Sequence, residues 1–118
     1  MDAAEIATIL ADHALWLKDN ATGKRANFRD AYLGDADFSE ADLRRAIFRC
    51  ANLSRADFTY ADLRFVDFQN ANLRSVGFSY SNLRGADFRG ANLQYADLQY
   101  ADLRDTNFED SSFDGIPA

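Results

Sequence analysis

At 118 residues and a net charge of −6, the chain has room for one domain and no second core. A single cysteine, Cys50, excludes an intramolecular disulfide, and the acidic balance disfavours nonspecific contact with nucleic acid or anionic membrane while leaving open a basic partner or one that normally binds DNA. Met1-Asp2-Ala3-Ala4-Glu5 lacks the positive start of a signal peptide, and no run approaches the roughly 20 apolar residues of a membrane span, so no membrane contact and a cytoplasmic location are expected.

The first segment reads as a helix. Asp2 is its N-cap, Glu5 stands where a capping box needs an acid, and the helix runs to about Lys18. Ile6, Ile9, Leu10, His13, Trp16 and Leu17 recur at spacings of three and four, forming one apolar stripe. Asn20 or Gly23 is expected to end it. His13, the only histidine, lies on that stripe and is expected to pack rather than to ligate metal, and Trp16 is expected to anchor the helix.

From Ala26 to Gly115 the chain counts in fives. Each pentad has a small residue, usually Ala, then in most cases Asp or Asn, with Tyr32, Ile47, Gly77 and Ser112 as departures, then Phe or Leu, then two variable residues. The large apolar slot is never missed, from Phe28 and Leu33 through Phe108 and Phe113. A helix would rotate successive pentads by about 140° and form no stripe, and a straight strand would throw them to opposite faces. The pattern fits a short extended side followed by a bend, so that in Ala41-Asp42-Leu43 the outer two face inward and Arg44-Arg45 turns the corner. The alternation of Phe and Leu from Phe28 to Leu93 needs an even number of sides if like stacks on like. Four sides of roughly 10 Å each hold one large side chain apiece, and the pentads then make about 4.5 coils. The Asp/Asn position suits a bending wall because these side chains hydrogen-bond nearby backbone.

Ala41-Asp42-Leu43-Arg44-Arg45, Ala51-Asn52-Leu53-Ser54-Arg55 and Ala86-Asp87-Phe88-Arg89-Gly90 resemble the pentapeptide-repeat family. The resemblance covers residues 26–115. It implies an all-β, right-handed quadrilateral β-helix, here with a short N-terminal capping α-helix. Residues 1–25 are accordingly read as capping helix and connector, covering the open end of the solenoid, and 26–118 as the β-helix; a docking helix for another protein is the alternative.

Sorting outward positions by a coil of twenty residues gives four uneven walls. The wall starting at Asp37 carries Asp37, Glu40, Asp57 and Asp97 and no Lys or Arg. Its last column reads Glu40, Tyr60, Tyr80, Tyr100, and the next wall carries the column Arg44, Arg64, Arg84, Arg104. Stacked like residues stabilise a solenoid, yet Tyr and Arg also dominate protein interfaces. Asp57, Tyr60, Tyr80, Asp97, Tyr100, Arg64, Arg84 and Arg104 are therefore the candidate protein-binding residues. Cys50 is expected at an exposed corner.

Catalytic residues, cofactor and metal are not expected: His13 has no nucleophile partner, there is no Gly-rich phosphate loop, and the acids lie on a regular lattice. Three non-enzymatic functions remain open. One is a binding or scaffold module for an unidentified protein. Another, implied by the family, is a DNA-mimic modulator of a type II topoisomerase (gyrase), although ten arginines dilute the acids of the repeats and no loop interrupts the pentads. The last is a structural or engineered solenoid with no specific partner. Only Asp114-Gly115-Ile116-Pro117-Ala118 follow Phe113, too few for a capping helix, so Phe108, Phe113 and Ile116 mark a candidate dimer end joining two copies tail to tail.

Overall fold

The computed structural model describes residues 1–113. Helix α1, Ala3–Lys18, is fixed at its start by reciprocal bonds: Asp2 Oδ1 accepts the Glu5 N–H at 2.8 Å, and Glu5 Oε1 accepts the Asp2 N–H at 3.4 Å. Its covered side is the apolar stripe, since Ile6, Ile9, Leu10, His13, Trp16 and Leu17 are the helix residues that are not fully exposed. α1 ends before Asn20 and Gly23. Asp19 is the C-cap, in extended backbone, with its N–H on the Leu15 carbonyl at 3.0 Å. Gly23 instead turns the chain back against α1 at φ 69°, where a Cβ would lie 2.4 Å from the Asp12 carbonyl oxygen.

Beyond the connector the chain coils. Parallel bridges join residues twenty apart, beginning with Asn27 to Ile47 and Tyr32 to Asn52 and continuing to Asn92 with Ser112. Each side meets a neighbouring coil at one isolated bridge rather than along a strand, because the extended stretch is too short for a ladder. Successive coils are stitched by Phe28 N–H to Ile47 O at 2.7 Å, Asp30 N–H to Arg49 O at 3.1 Å and Ile47 N–H to Ala26 O at 3.0 Å, a set that recurs from side to side.

The corners are type II-like turns. Ala31 N–H closes on Phe28 O at 3.0 Å while Asp30 holds φ 60°. The same positive φ returns at every fifth residue from Asp30 to Asp110, fifteen of them non-glycine and two of them Gly85 and Gly90. An L-residue there costs about 1–2 kcal/mol. From Asp30 to Gly90 the corner N–H also bonds the coil beyond, as Tyr60 N–H does to Ser79 O at 3.0 Å, so stacked coils hold these corners in place.

The Asp/Asn lattice is backbone chemistry. At all fourteen described pentads with Asp or Asn in second place, the side-chain Oδ1 accepts the N–H two residues on, as Asn27 does from Arg29 at 3.0 Å and Asp57 from Thr59 at 2.8 Å. Inside, Phe28, Phe48, Phe68, Phe88 and Phe108 stack in one column at 4.9–5.3 Å. Phe38, Phe58 and Phe78 form a second, at 5.1 and 5.3 Å. The two meet edge to face across the axis, as between Phe48 and Phe58 at 5.6 Å and 88°.

α1 lies against the beginning of this core. Ile6, Ile9 and Leu10 pack on it, and His13 is wholly buried. The other end is more open. Leu98 interrupts the second phenylalanine column, and beyond it Leu103 and Phe113 stand 37% and 41% exposed.

Candidate interaction surface

Tyr60, Tyr80 and Tyr100 occupy three corners one coil apart, each at φ 60–62°. Their rings form a continuous stack: Tyr60 on Tyr80 at 4.9 Å and 4°, Tyr80 on Tyr100 at 5.0 Å and 15°. The stack stands out from the wall, with the three residues 59%, 50% and 76% exposed. Nearby on the same wall, Asp57 accepts both the N–H and the hydroxyl of Thr59. Asp97 accepts the Gln99 N–H at 3.0 Å and the Ser79 hydroxyl at 3.0 Å. Both carboxylates are thus engaged locally, and hydrogen bonds from Ser39 hold the equivalent Asp37 carboxyl below its ordinary range.

The arginine column is largely neutralised. Arg64 forks onto Asp62 of its own pentad, with Nε at 2.9 Å and Nη2 at 2.6 Å, and Arg104 does the same to Asp102. Arg44 does so with Asp42. Arg84, whose pentad has Asn82 in the acidic place, reaches Asp105 at 3.4 Å instead. The guanidinium of Arg104 draws the Asp102 carboxyl down to about 2. Among the described residues, no hydrogen bond or cation–π contact joins these arginines to the tyrosine stack. The tyrosines are brought together as a unit, and so are the arginines with their aspartates, but the two columns remain separate surfaces.

Some surface features lie outside those columns. Arg45 stacks over Phe65 at 4.8 Å, Arg74 over Tyr95 at 4.7 Å and Arg25 over Trp16 at 5.6 Å. Phe65 is legible in hindsight, because an apolar residue in the fifth place of a pentad points outward. Cys50 is an exposed free thiol at a corner of φ 61°. Of the candidate dimer end, Phe108 stacks on Phe88 at 5.2 Å and tilts against Phe113 at 5.2 Å and 59°, while Ile116 lies outside the described residues.

His13 is a structural joint. Its Nδ1 accepts the Ala26 N–H at 2.9 Å, so the proton sits on Nε2, which donates to the Arg44 carbonyl at 2.9 Å. Burial pushes its pKa below 6.5. Among the described residues, no cluster of three or more His, Cys, Asp or Glu side chains is placed to hold a metal ion, and no helix is long and apolar enough to cross a membrane.

With this geometry in hand, comparison with known proteins is specific about kind. The family model for pentapeptide repeats matches residues 24–59, 36–74 and 71–110. The pentapeptide repeat protein Rfr23 of the cyanobacterium Cyanothece 51142 is similar in structure, with a TM-score of 0.73 and 33% identity over 76% of this chain and 62% of that one. A pentapeptide repeat protein of the Arabidopsis thaliana thylakoid lumen gives a TM-score of 0.75 and 31% identity, over 79% of this chain and 65% of that one. The chain therefore spans less than two thirds of the length of either. No curated protein matches it in sequence. The i to i+20 bridges, the corner turns and the buried Phe and Leu columns are those of a right-handed β-helix with one α-helix, and this chain belongs to the pentapeptide-repeat family.

Proposed function

We propose that the protein is a non-enzymatic binding or scaffold module that engages a partner protein through the tyrosine edge. The observation carrying this reading is the stack of Tyr60, Tyr80 and Tyr100, at least half exposed at every step. Stacking already restricts the rings before any partner arrives, so little rotamer freedom is lost on contact. Tyrosine is also a residue type that concentrates binding energy. Asp57 and Asp97 beside the stack, and Arg64, Arg84 and Arg104 on the next wall, would form a polar rim. The duplex-mimic reading has less support, since the cations of the other walls interrupt any continuous acidic surface.

Within this reading, residues 1–25 act as cap and connector and 26–118 as a β-helix of about 4.5 coils with twenty residues each. The protein works in the cytoplasm, and two copies associate tail to tail through Phe108, Phe113 and Ile116. The test is replacement of Tyr60, Tyr80 and Tyr100 by Ser together, followed by crosslinked capture from host lysate. Loss of specific captured proteins from a variant with an unchanged circular dichroism spectrum supports the edge. An unchanged set of captured proteins overturns it and leaves the stack as a purely stabilising element.

A further inference from the structure

Where α1 meets the solenoid there is an open groove of about 330 Å³, lined by Trp16 and Leu17 of the helix and by Arg44, Arg45, Arg64 and Phe65 of two successive coils. Its chemistry runs against that of the whole molecule, which is acidic. Arg44 and Arg64 hold Asp42 and Asp62. Arg45 has no carboxylate partner among the described residues, and neither has Arg25, whose Nε donates to the Arg45 carbonyl at 2.6 Å. Each of these two cations lies over an aromatic ring that lines the groove, Arg45 over Phe65 and Arg25 over Trp16, but only Arg45 lines the groove itself; Arg25 borders the neighbouring cleft beside Asp12 and Lys24.

Phe65 is seated, not merely left outside. It lies at a corner of φ 60°, half exposed, and its ring rests across the next corner of the column, Gly85. A Cβ on Gly85 would come within 2.5 Å of two Phe65 ring carbons. The fold does not need an aromatic residue there: the same column carries Arg45 and Asp105 one coil to either side of the Phe65–Gly85 pair. A ring held on a glycine, in the same groove as a tryptophan and under an uncompensated cation, makes a site for an apolar group beside an anion.

We infer that this groove binds an acidic peptide segment of a partner protein, placing a carboxylate on Arg45 and an apolar side chain against the exposed edges of Trp16 and Phe65. Charge complementarity selects the acid, since Arg45 lines the groove without a carboxylate of its own. Openness selects a peptide over a small metabolite, because small ligands are held in concave pockets that bury most of their surface. The overall charge of −6 repels a long polyanion, whereas a short segment responds to the local arginines. This surface is distinct from the tyrosine edge, sharing only Arg64 with its rim.

Trp16 is the only tryptophan, so its emission reports the groove directly. The full chain is titrated with the synthetic hexapeptide Glu-Asp-Leu-Phe-Glu-Asp at low salt. The expected result is a saturable change with a midpoint below about 1 mM, weakened by added salt. Arg45→Ser and Phe65→Ser should each weaken it about tenfold, with unchanged circular dichroism, since serine already occupies such a corner at Ser75 with φ 60°. Should Phe65→Ser disturb the fold, Arg45→Ser alone decides. The triple Tyr60, Tyr80 and Tyr100 to Ser variant should bind the peptide normally, which separates this site from the tyrosine edge. No saturable change up to several times that concentration overturns the inference, as does an equal response from Arg45→Ser. Tighter binding of AMP or of a short oligothymidylate than of the peptide also overturns it.

Discussion

The Nδ1 atom of His13 accepts the backbone N–H of Ala26 at 2.9 Å, tying the middle of α1 to the first pentad of the solenoid. The other ring nitrogen holds the Arg44 carbonyl, so a protonated imidazole would present a donor to a donor at Ala26. Burial keeps the folded ring neutral, with its pKa below 6.5. In the unfolded chain the ring takes up a proton below about 6.5. Folding stability should therefore be fully present above that pH, fall as pH drops from there to the folded value, and level off below it. Urea unfolding at pH 7.5 and 5.5 reads this directly. His13→Leu should remove the pH dependence and cost about 1–3 kcal/mol at pH 7.5, because it orphans a buried donor and acceptor.

The tyrosine stack makes a graded prediction about stability that is independent of any partner. Tyr80 has a ring on both sides, whereas Tyr60 and Tyr100 have one each. At about 0.5–1.5 kcal/mol per aromatic pair, Tyr80→Ser should cost about twice as much as either end variant. Thermal unfolding of the three single variants checks it. Equal small effects at all three positions would mean that the exposed rings gain nothing from one another in water.

The period of five made the core legible to the residue. Phe28 to Leu93 are buried where the alternation puts them, and the stripe from Ile6 to Leu17 is the covered face of α1. What the sequence concealed was conformation at the corners. Tyr60, Phe65, Arg45 and Cys50 sit at positive φ although their side chains give no local reason for it. Stacked neighbours one coil away impose that geometry, and local propensity cannot report a constraint set twenty residues off. Phe65 was hidden for a related reason: its seat is Gly85, which becomes adjacent only when the chain has completed a coil. α1 ends at Lys18, as the capping pattern indicates, but its C-cap is Asp19; Gly23, which resembles a C-cap, instead serves the return of the chain against the helix.

Gly85 and Phe65 should be coupled. Gly85→Ala costs about 1–2 kcal/mol in any background because φ is 72° there. With Phe65 present the new methyl must also displace the ring, which adds a coupling of about 0.5–3 kcal/mol. A double-mutant cycle of Gly85→Ala and Phe65→Ser, followed by urea unfolding, isolates that second contribution. Gly90→Ala is the control. Its Cβ would meet the Oδ1 of Asn70, the end of a side chain that can swing away, so its coupling to Asn70→Ser should be small.

The end of the solenoid around Phe108 and Phe113 offers the sharpest test of association. In a monomer, Phe113 is 41% exposed, and replacing a residue so placed should change stability by no more than about 0.5 kcal/mol. If two copies meet tail to tail, the same ring is buried in the dimer, and the folded state gains stability with protein concentration by mass action. The unfolding midpoint of the native chain should then rise between about 1 and 100 µM. Phe113→Asp should abolish that rise and leave the dilute-solution midpoint nearly unchanged. Light scattering of both proteins at the higher concentration supplies the mass. A midpoint independent of concentration, with a monomer mass for the native chain, assigns Phe113 to the exposed edge of a solitary solenoid. In that case Phe108, stacked on Phe88 at 5.2 Å, is the last ring of the first phenylalanine column to gain from the core, and Phe108→Ala should be the costlier change.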